Sequence, residues 1–161
     1  DTFLCPDPLG SKVGAKIYSL QNPTKKIAKS EDNPKGTIDL LDEPAVARKK
    51  IMSAVTDSIG IIQYDPENQP GLSNLLTILS SLSGESIESI VSRYEGKGYG
   101  ELKKETGEVV FNFLTDLQAK YKEIIASGMV EKVITEGNEK ARRIAHKKIM
   151  KVKKKVGFQI F

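Results

Sequence analysis

The residues that could do chemistry stand first in a polar loop: Lys26, Lys29 and Ser30. Because the two lysines are three positions apart in a stretch flanked by Pro23 and Asn33, both ammonium groups can converge on one phosphate chain. The Ser30 hydroxyl adds another hydrogen-bonding group. One charge-assisted hydrogen bond contributes roughly 1.5–3 kcal/mol, so losing it in a transition state costs on the order of ten- to a hundredfold in rate. Taken alone, the pattern K-x-x-K-S favours a solvated loop, since a lysine-rich chain produces it by chance.

The elements around this loop follow from hydrophobic periodicity and turn formers. Residues 16–20 alternate as a short strand does. Apolar positions at helical spacing, interrupted by Pro and Gly clusters, predict five helices, over residues 44–56, 72–82, 86–95, 101–127 and 130–156. The predicted fold class is therefore mainly α: a bundle of about five helices behind a short strand and a mobile loop.

Charge is distributed unevenly along the 161 residues, whose formal net charge is +4. Nine of the 25 basic residues lie between Lys140 and Lys155 with no acid among them, and acidic residues outnumber basic ones in the rest of the chain. The last predicted helix is thus a candidate surface for a polyanion, with a merely solvated face as the alternative.

Composition excludes several classes of protein. Cys5 is the only cysteine, so an internal disulfide is impossible and a reducing, cytoplasmic location is expected. No apolar run approaches the roughly 18 residues that a membrane span needs. No metal site is expected, because Asp65 and Glu67 lie among prolines and read as a turn. The only histidine, His146, falls inside the basic helix and is interpreted as a surface residue.

A second glycine-rich segment, residues 96–100, has the composition of a phosphate-cradling loop. A predicted helix precedes it where nucleotide motifs need a strand, and no Lys-Ser or Lys-Thr pair follows. We interpret it as a glycine helix end that leads into the next helix, although Lys97 beside free amides could accept an RNA phosphate.

Several segments, in order, resemble one family. The run from Asn22 to Pro34, NPTKKIAKSEDNP, resembles the signature loop of class I tryptophanyl-tRNA synthetases. The segment KVGAKIYSL at residues 12–20 is similar to the strand before that loop. Further segments are similar to the helical region of the same family: AVTDS at 54–58, YDPEN at 64–68, PGLSNLL at 70–76, and YEGKGYG at 94–100 with Lys103.

The resemblance implies an enzyme that activates tryptophan with ATP and magnesium and transfers it to its tRNA. On the matching positions, Lys26 and Lys29 would bind the ATP phosphates and act catalytically, and Ser30 would support the loop. Ile17 would lie near the adenosine. Ile27 and Ala28 stand where the family has methionine and serine, so Ile27 can still anchor the loop, whereas Ala28 offers no hydroxyl. No tightly bound cofactor is expected in this portion.

By the same resemblance, residues 1–41 would be the end of a nucleotide-binding domain, and residues 42–161 a helical anticodon-binding domain. The histidine motif and tryptophan pocket of the family have no counterpart in the 161 residues, so we expect this portion alone to be inactive. The family is typically homodimeric through its nucleotide-binding fold, which makes a dimer of this portion doubtful. Two alternatives stay open: a non-catalytic RNA-binding helical module, and a helical protein whose lysines are merely solvated.

Overall fold

The computed structural model describes residues 3–10, 14, 16–27 and 33–158. In this part of the chain the regular structure is helical, in agreement with the predicted class. The five helices are α1 (Pro44–Met52), α2 (Pro70–Ser83), α3 (Ile87–Arg93), α4 (Tyr99–Ala126) and α5 (Met129–Lys155). Each corresponds to one predicted helix, and the number of helices is confirmed.

Local sequence explains most of the helix ends. Pro44 and Pro70 open α1 and α2, where the missing proline N–H costs no intrahelical bond. Ser86 caps α3, since its hydroxyl accepts from the Ser89 N–H at 3.2 Å. Gly84, in the left-handed conformation with φ 76°, ends α2. Gly96 has φ 74° and precedes α4, so the glycine-rich segment is the helix end that was predicted.

Two predictions require correction. The strand over residues 16–20 is reduced to a single antiparallel bridge between Tyr18 and Lys26 in the described part of the chain. Helix α1 stops at Met52 and not at Thr56. The reason is non-local, because the Val55 N–H donates to the Leu20 carbonyl oxygen at 2.8 Å and so cannot continue the helix.

Contacts divide the chain into two compact units, residues 10–119 and residues 1–9 with 120–161. The first unit has a hydrophobic core built on one face of α2, where Leu72, Leu75, Leu76 and Leu79 are fully buried. They form one cluster with buried residues of α1, of α3 and its C-terminal end, of α4, of the connection between α1 and α2, and of the segment that precedes residue 21: Leu20, Ala47, Ile51, Ala54, Ile62, Ile90, Tyr94, Leu102, Val110 and Leu114. Leu20 and α1 therefore share a core.

Hydrogen bonds tie the starts of α2 and α4 to the segment after α1. The Tyr99 hydroxyl donates to Asp57 Oδ1 at 2.6 Å, and the fully buried Gln69 amide donates to the same oxygen at 3.1 Å. Burial raises the pKa of Asp57, but these hydrogen bonds and those from the backbone outweigh it and hold the pKa below its ordinary value.

The second unit contains the end of α4 and all of α5, in which no residue is buried. Several apolar side chains of α5 stay more than half exposed, among them Val133, Ile134 and Ile144. The N-terminal stretch belongs to the same unit, and the Lys148 ammonium lies 5.6 Å from the centroid of the Phe3 ring. Among the described residues, no helix has the length and apolar character to cross a membrane.

Candidate functional site: a lysine loop on a buried base

The lysine loop, residues 21–35, begins and ends at a base of four residues in the first unit: Tyr18, Ser19, Leu20 and Gly36. The two ends of the loop meet where the Leu20 N–H donates to the Gly36 carbonyl oxygen at 2.9 Å. Ser19 is fully buried and Leu20 is 3% exposed, so this base belongs to the core of the unit. Because backbone groups buried without partners are costly, these bonds fix where the loop begins and ends.

Further hydrogen bonds hold the chain just beyond the base. The Ser19 hydroxyl accepts from the N–H groups of Gln21 and Asn22, at 3.3 and 3.2 Å. Gln21 in turn donates from its side chain to the Ser53 carbonyl oxygen at 3.0 Å, at the end of α1. The first two residues of the loop are therefore held by side chains.

On the far side of the base, Lys50 of α1 holds the chain that leaves the loop. Its ammonium group donates to the Thr37 carbonyl oxygen at 2.9 Å and to Asp42 Oδ2 at 2.7 Å. The Lys50 side chain is only 12% exposed, and its Asp42 partner 21%. Removing either charge would leave the other poorly solvated, so the contact is structural.

Lys26 is the predicted phosphate-binding residue that the structure describes. It is exposed, and its backbone forms the bridge with Tyr18. On either side of this bridge, the Ser19 N–H donates to the Lys25 carbonyl oxygen at 2.9 Å, and the Ile27 N–H to the Ile17 carbonyl oxygen at 3.2 Å. The Lys26 backbone is therefore fixed relative to the core, while its ammonium group extends into solvent. A flexible lysine side chain on a fixed backbone can bind an anion that changes position.

Ile17 and Ile27 lie together, as neighbours across the bridge. Both line an apolar cavity of about 730 Å³ in the first unit, with Leu20, Ile38, Ile78 and Leu114 among its other walls. An aliphatic side chain at position 27 suits such a place, since it removes apolar surface from water. Ala28, Lys29 and Ser30 lie outside the described residues, so their roles stay predictions.

The second predicted binding feature is the basic run on α5. The side chains of Arg142, Arg143 and Lys147 line a shallow depression that also includes Glu139 and His146. His146 is exposed on the helix, as predicted. Lys153 and Lys154 are exposed near the helix end. Lys97, the candidate in the glycine-rich segment, instead places its ammonium 5.1 Å from the centroid of the Tyr94 ring.

Sequence reasoning missed the residue that holds Tyr18. Asn74, on the buried face of α2, forms hydrogen bonds with both backbone groups of Tyr18. A signal was available, because an amide within a run of leucines on a core helix must find partners. The sequence could not show which backbone it holds, since the partner is 56 positions away.

Comparisons with known proteins identify relatives of this chain. A family model described as "tRNA synthetases class I (W and Y)" matches residues 6–115. A tryptophan–tRNA ligase of Bacillus anthracis is 48% identical over 157 residues, covering 98% of this chain and 48% of that protein. One from Corynebacterium glutamicum is 50% identical over 157 residues, covering 97% of this chain and 46% of the relative. The chain thus spans about half the length of the curated relatives it matches.

Solved structures give the same relationship. Tryptophanyl-tRNA synthetase from Mycoplasma pneumoniae superposes with a TM-score of 0.81 at 31% identity, over 92% of this chain and 45% of that one. The Campylobacter jejuni enzyme, complexed with ADP and tryptophan, gives a TM-score of 0.59 at 28% identity, over 88% of this chain and 43% of its own.

Proposed function

The chain belongs to the W and Y family of class I tRNA synthetases, and on that premise we propose that it is part of a tryptophan–tRNA ligase. The whole protein would activate tryptophan with ATP as tryptophanyl-adenylate and then transfer it to tRNA. The observation that carries the proposal is the lysine loop. It stands on a base buried in the helical core, in a chain 48% identical to a protein named for this activity.

In this function the lysine loop stabilises charge during adenylate formation. As pyrophosphate leaves, negative charge grows on the phosphate oxygens, and Lys26 and Lys29 would follow it. Ser30 would hold the loop by a hydrogen bond, and Ile17 would face the adenosine. The fixed backbone at Lys26 supports this role, because preorganised donors need no rearrangement when the charge develops.

Ile27 and Ala28 stand where the family usually has methionine and serine. Ile27 would anchor the loop in the apolar cavity that it already lines. Ala28 lacks a hydroxyl, so the loop would close through its lysine charges and Ser30.

Magnesium would bind together with the ATP phosphates. Among the residues that the structure describes, no cluster of three or more His, Cys, Asp or Glu side chains could hold a metal ion, and we assign the ion no ligand in this chain.

The helical portion, residues 42–161, would bind the anticodon part of the tRNA, and residues 1–41 would complete the nucleotide-binding domain. The exposed basic side chains of α5 support contact with a phosphate backbone, since each neutralised phosphate releases counterions. The whole enzyme would be a cytoplasmic homodimer. The 161-residue portion alone would not activate tryptophan.

A second candidate function is a non-catalytic tRNA-binding module. The observation that favours it is α5 itself, a long helix with many exposed basic side chains and no buried residue. This candidate predicts tRNA affinity that does not depend on the lysine loop.

The test is binding of this chain to a tryptophan tRNA and to the same tRNA with its anticodon exchanged, at several salt concentrations. The proposal predicts that a preference for the native anticodon survives at moderate salt. Equal binding with a steep salt dependence would indicate phosphate contacts alone and favour the second candidate. Absence of binding would contradict the assignment of residues 42–161 as the recognition part. A burst of tryptophan-dependent ATP consumption by this portion would contradict its predicted inactivity.

A further inference from the structure

Asn74 holds the backbone of Tyr18 from both sides. Its Oδ1 accepts from the Tyr18 N–H and its Nδ2 donates to the Tyr18 carbonyl oxygen, each at 2.9 Å. The Asn74 side chain thereby replaces a neighbouring strand, because a strand would satisfy the same two groups. We call this pair of hydrogen bonds the Asn74 clamp. It explains how the segment before the loop stays extended when its only regular pairing among the described residues is one bridge.

The clamp connects the lysine loop to the centre of the core. Asn74 is 4% exposed, and Leu75 and Leu76 beside it are fully buried, so α2 fixes the position of the amide. Tyr18 is the residue bridged to Lys26. One side chain therefore links the rigid core to the backbone that carries a phosphate-binding lysine, through a single intervening residue.

Other contacts of the described residues act at different points of the base. Leu20 is held by backbone groups, the Gly36 carbonyl oxygen on one side and the Val55 N–H on the other. Those bonds fix the position where the two ends of the loop meet. Two further backbone hydrogen bonds, from the Ser19 N–H to the Lys25 carbonyl oxygen and from the Ile27 N–H to the Ile17 carbonyl oxygen, join the two sides of the bridge to each other. Among the described residues, the Asn74 clamp is what joins Tyr18 to α2.

From this geometry we propose that Asn74 is a positioning residue for the phosphate loop, acting through Tyr18 on Lys26. The inference rests on the proposed function. Asn74 touches no substrate; it sets the starting direction of the loop, so that the lysine charges meet the phosphates at the right distance. A displacement of about 1 Å in a group that acts on the transition state can cost roughly a hundredfold in rate.

The same helix supplies a matched control. Ser73 is also 4% exposed, and its hydroxyl also accepts a hydrogen bond from a backbone N–H outside the helix, that of Asp65 at 3.0 Å. Its partner lies in the turn before α2 and not at the loop base. Ser73→Ala therefore removes a buried hydrogen bond from α2 while leaving the clamp in place.

The experiment uses the complete ligase that carries this segment, as wild type, Asn74→Ala, Asn74→Leu and Ser73→Ala. Leucine has the same branching and the same number of side-chain heavy atoms as asparagine, so it fills the site without a cavity if alanine destabilises the fold. Two quantities are measured: tryptophan-dependent exchange of pyrophosphate into ATP, and hydrogen exchange of the amides in residues 16–27. Rates are compared per folded molecule.

We expect both Asn74 variants to lose about tenfold to a hundredfold in kcat. The KM for tryptophan should stay unchanged, and the Tyr18 amide should lose its protection. Ser73→Ala should stay within about twofold of wild type in kcat. Equal losses in the Asn74 and Ser73 variants, or a protected Tyr18 amide without Asn74, would overturn the inference. A wild-type enzyme with no tryptophan-dependent exchange would overturn the proposed function, and with it the catalytic role of the clamp, whatever the hydrogen-exchange pattern.

Discussion

The N–H of Leu20 donates to the carbonyl oxygen of Gly36 across 2.9 Å, so the two ends of the lysine loop meet on the hydrophobic core. Sixteen positions of sequence separate these two residues. The loop is therefore closed at its base whatever its tip does. The backbone of Lys26, which is bridged to Tyr18 of this base, is therefore positioned by the core, while its ammonium group extends into solvent.

Replacing Lys26 tests this placement. In the complete protein, Lys26→Ala should lower tryptophan-dependent pyrophosphate exchange on the order of ten- to a hundredfold, because one charge-assisted bond to the leaving phosphates is removed. Lys49→Ala, which removes an exposed lysine from α1, serves as the control and should leave the rate nearly unchanged. Equal rates for the two variants would remove Lys26 from the mechanism.

The carboxylate of Glu105 makes stability depend on pH. Arg93 donates to it twice, at 2.7 and 2.8 Å, and these bonds hold the pKa of Glu105 below its ordinary 4.5. Because the pKa of Glu105 is lower in the folded state than in the unfolded state, the Arg93–Glu105 pair stabilises the fold fully above about pH 4.5. This stabilisation is lost as the pH falls through the pKa of Glu105 in the folded state. Glu105→Gln should cost on the order of 1 kcal/mol at pH 7, since partial exposure weakens the pair.

Urea unfolding between pH 7 and pH 3 measures this effect. The difference in unfolding free energy between wild type and Glu105→Gln should narrow as the solution is acidified. Glu108→Gln is the control, because the Arg48–Glu108 pair has side chains 43% and 46% exposed and should contribute little. If the difference in unfolding free energy between wild type and Glu105→Gln stays constant with pH, the ionised Glu105 carboxylate is not the source of the pH dependence.

Two helical glycines should respond oppositely to alanine. A Cβ on Gly71 would stand 2.1 Å from the Val55 carbonyl oxygen, whose backbone is tied to Leu20, so Gly71→Ala should destabilise by about 2 kcal/mol or more. Gly137 in α5 has open space around it, and Gly137→Ala should stabilise that helix by roughly 0.5–1 kcal/mol. Thermal unfolding measures the stability of both variants relative to wild type. If Gly71→Ala unfolds at the wild-type temperature, the backbone between α1 and α2 can shift to accommodate the Cβ.

How far the sequence predicts this structure depends on whether the interactions are local. The five helices follow from periodicity and from caps such as Ser86 and Gly84, all within a few residues of what they cap. The end of α1 and the missing strand depend on Leu20 with Val55 and on Tyr18 with Asn74, pairs far apart in sequence. The family resemblance of residues 22–34 made Lys26 a phosphate-binding candidate, whereas the fixing of its backbone by Tyr18 could be seen only in the fold.

The basic end of α5 should determine how binding depends on salt. Replacing Lys153 and Lys154 together by alanine should weaken tRNA binding for all sequences and reduce the slope of log K against log salt by about 1 for each phosphate that is no longer neutralised. Lys49→Ala with Lys104→Ala removes the same charge from residues of the first unit and should leave the slope unchanged. An identical reduction in both pairs would reflect net charge alone.

The most direct test of the central claim is amino-acid attachment by the complete protein, with tryptophan and tyrosine offered separately in the presence of ATP, magnesium and total tRNA. We expect tryptophan to be attached to its tRNA and tyrosine not to be attached. Attachment of tyrosine, or of neither amino acid by a folded protein that binds tRNA, would contradict it.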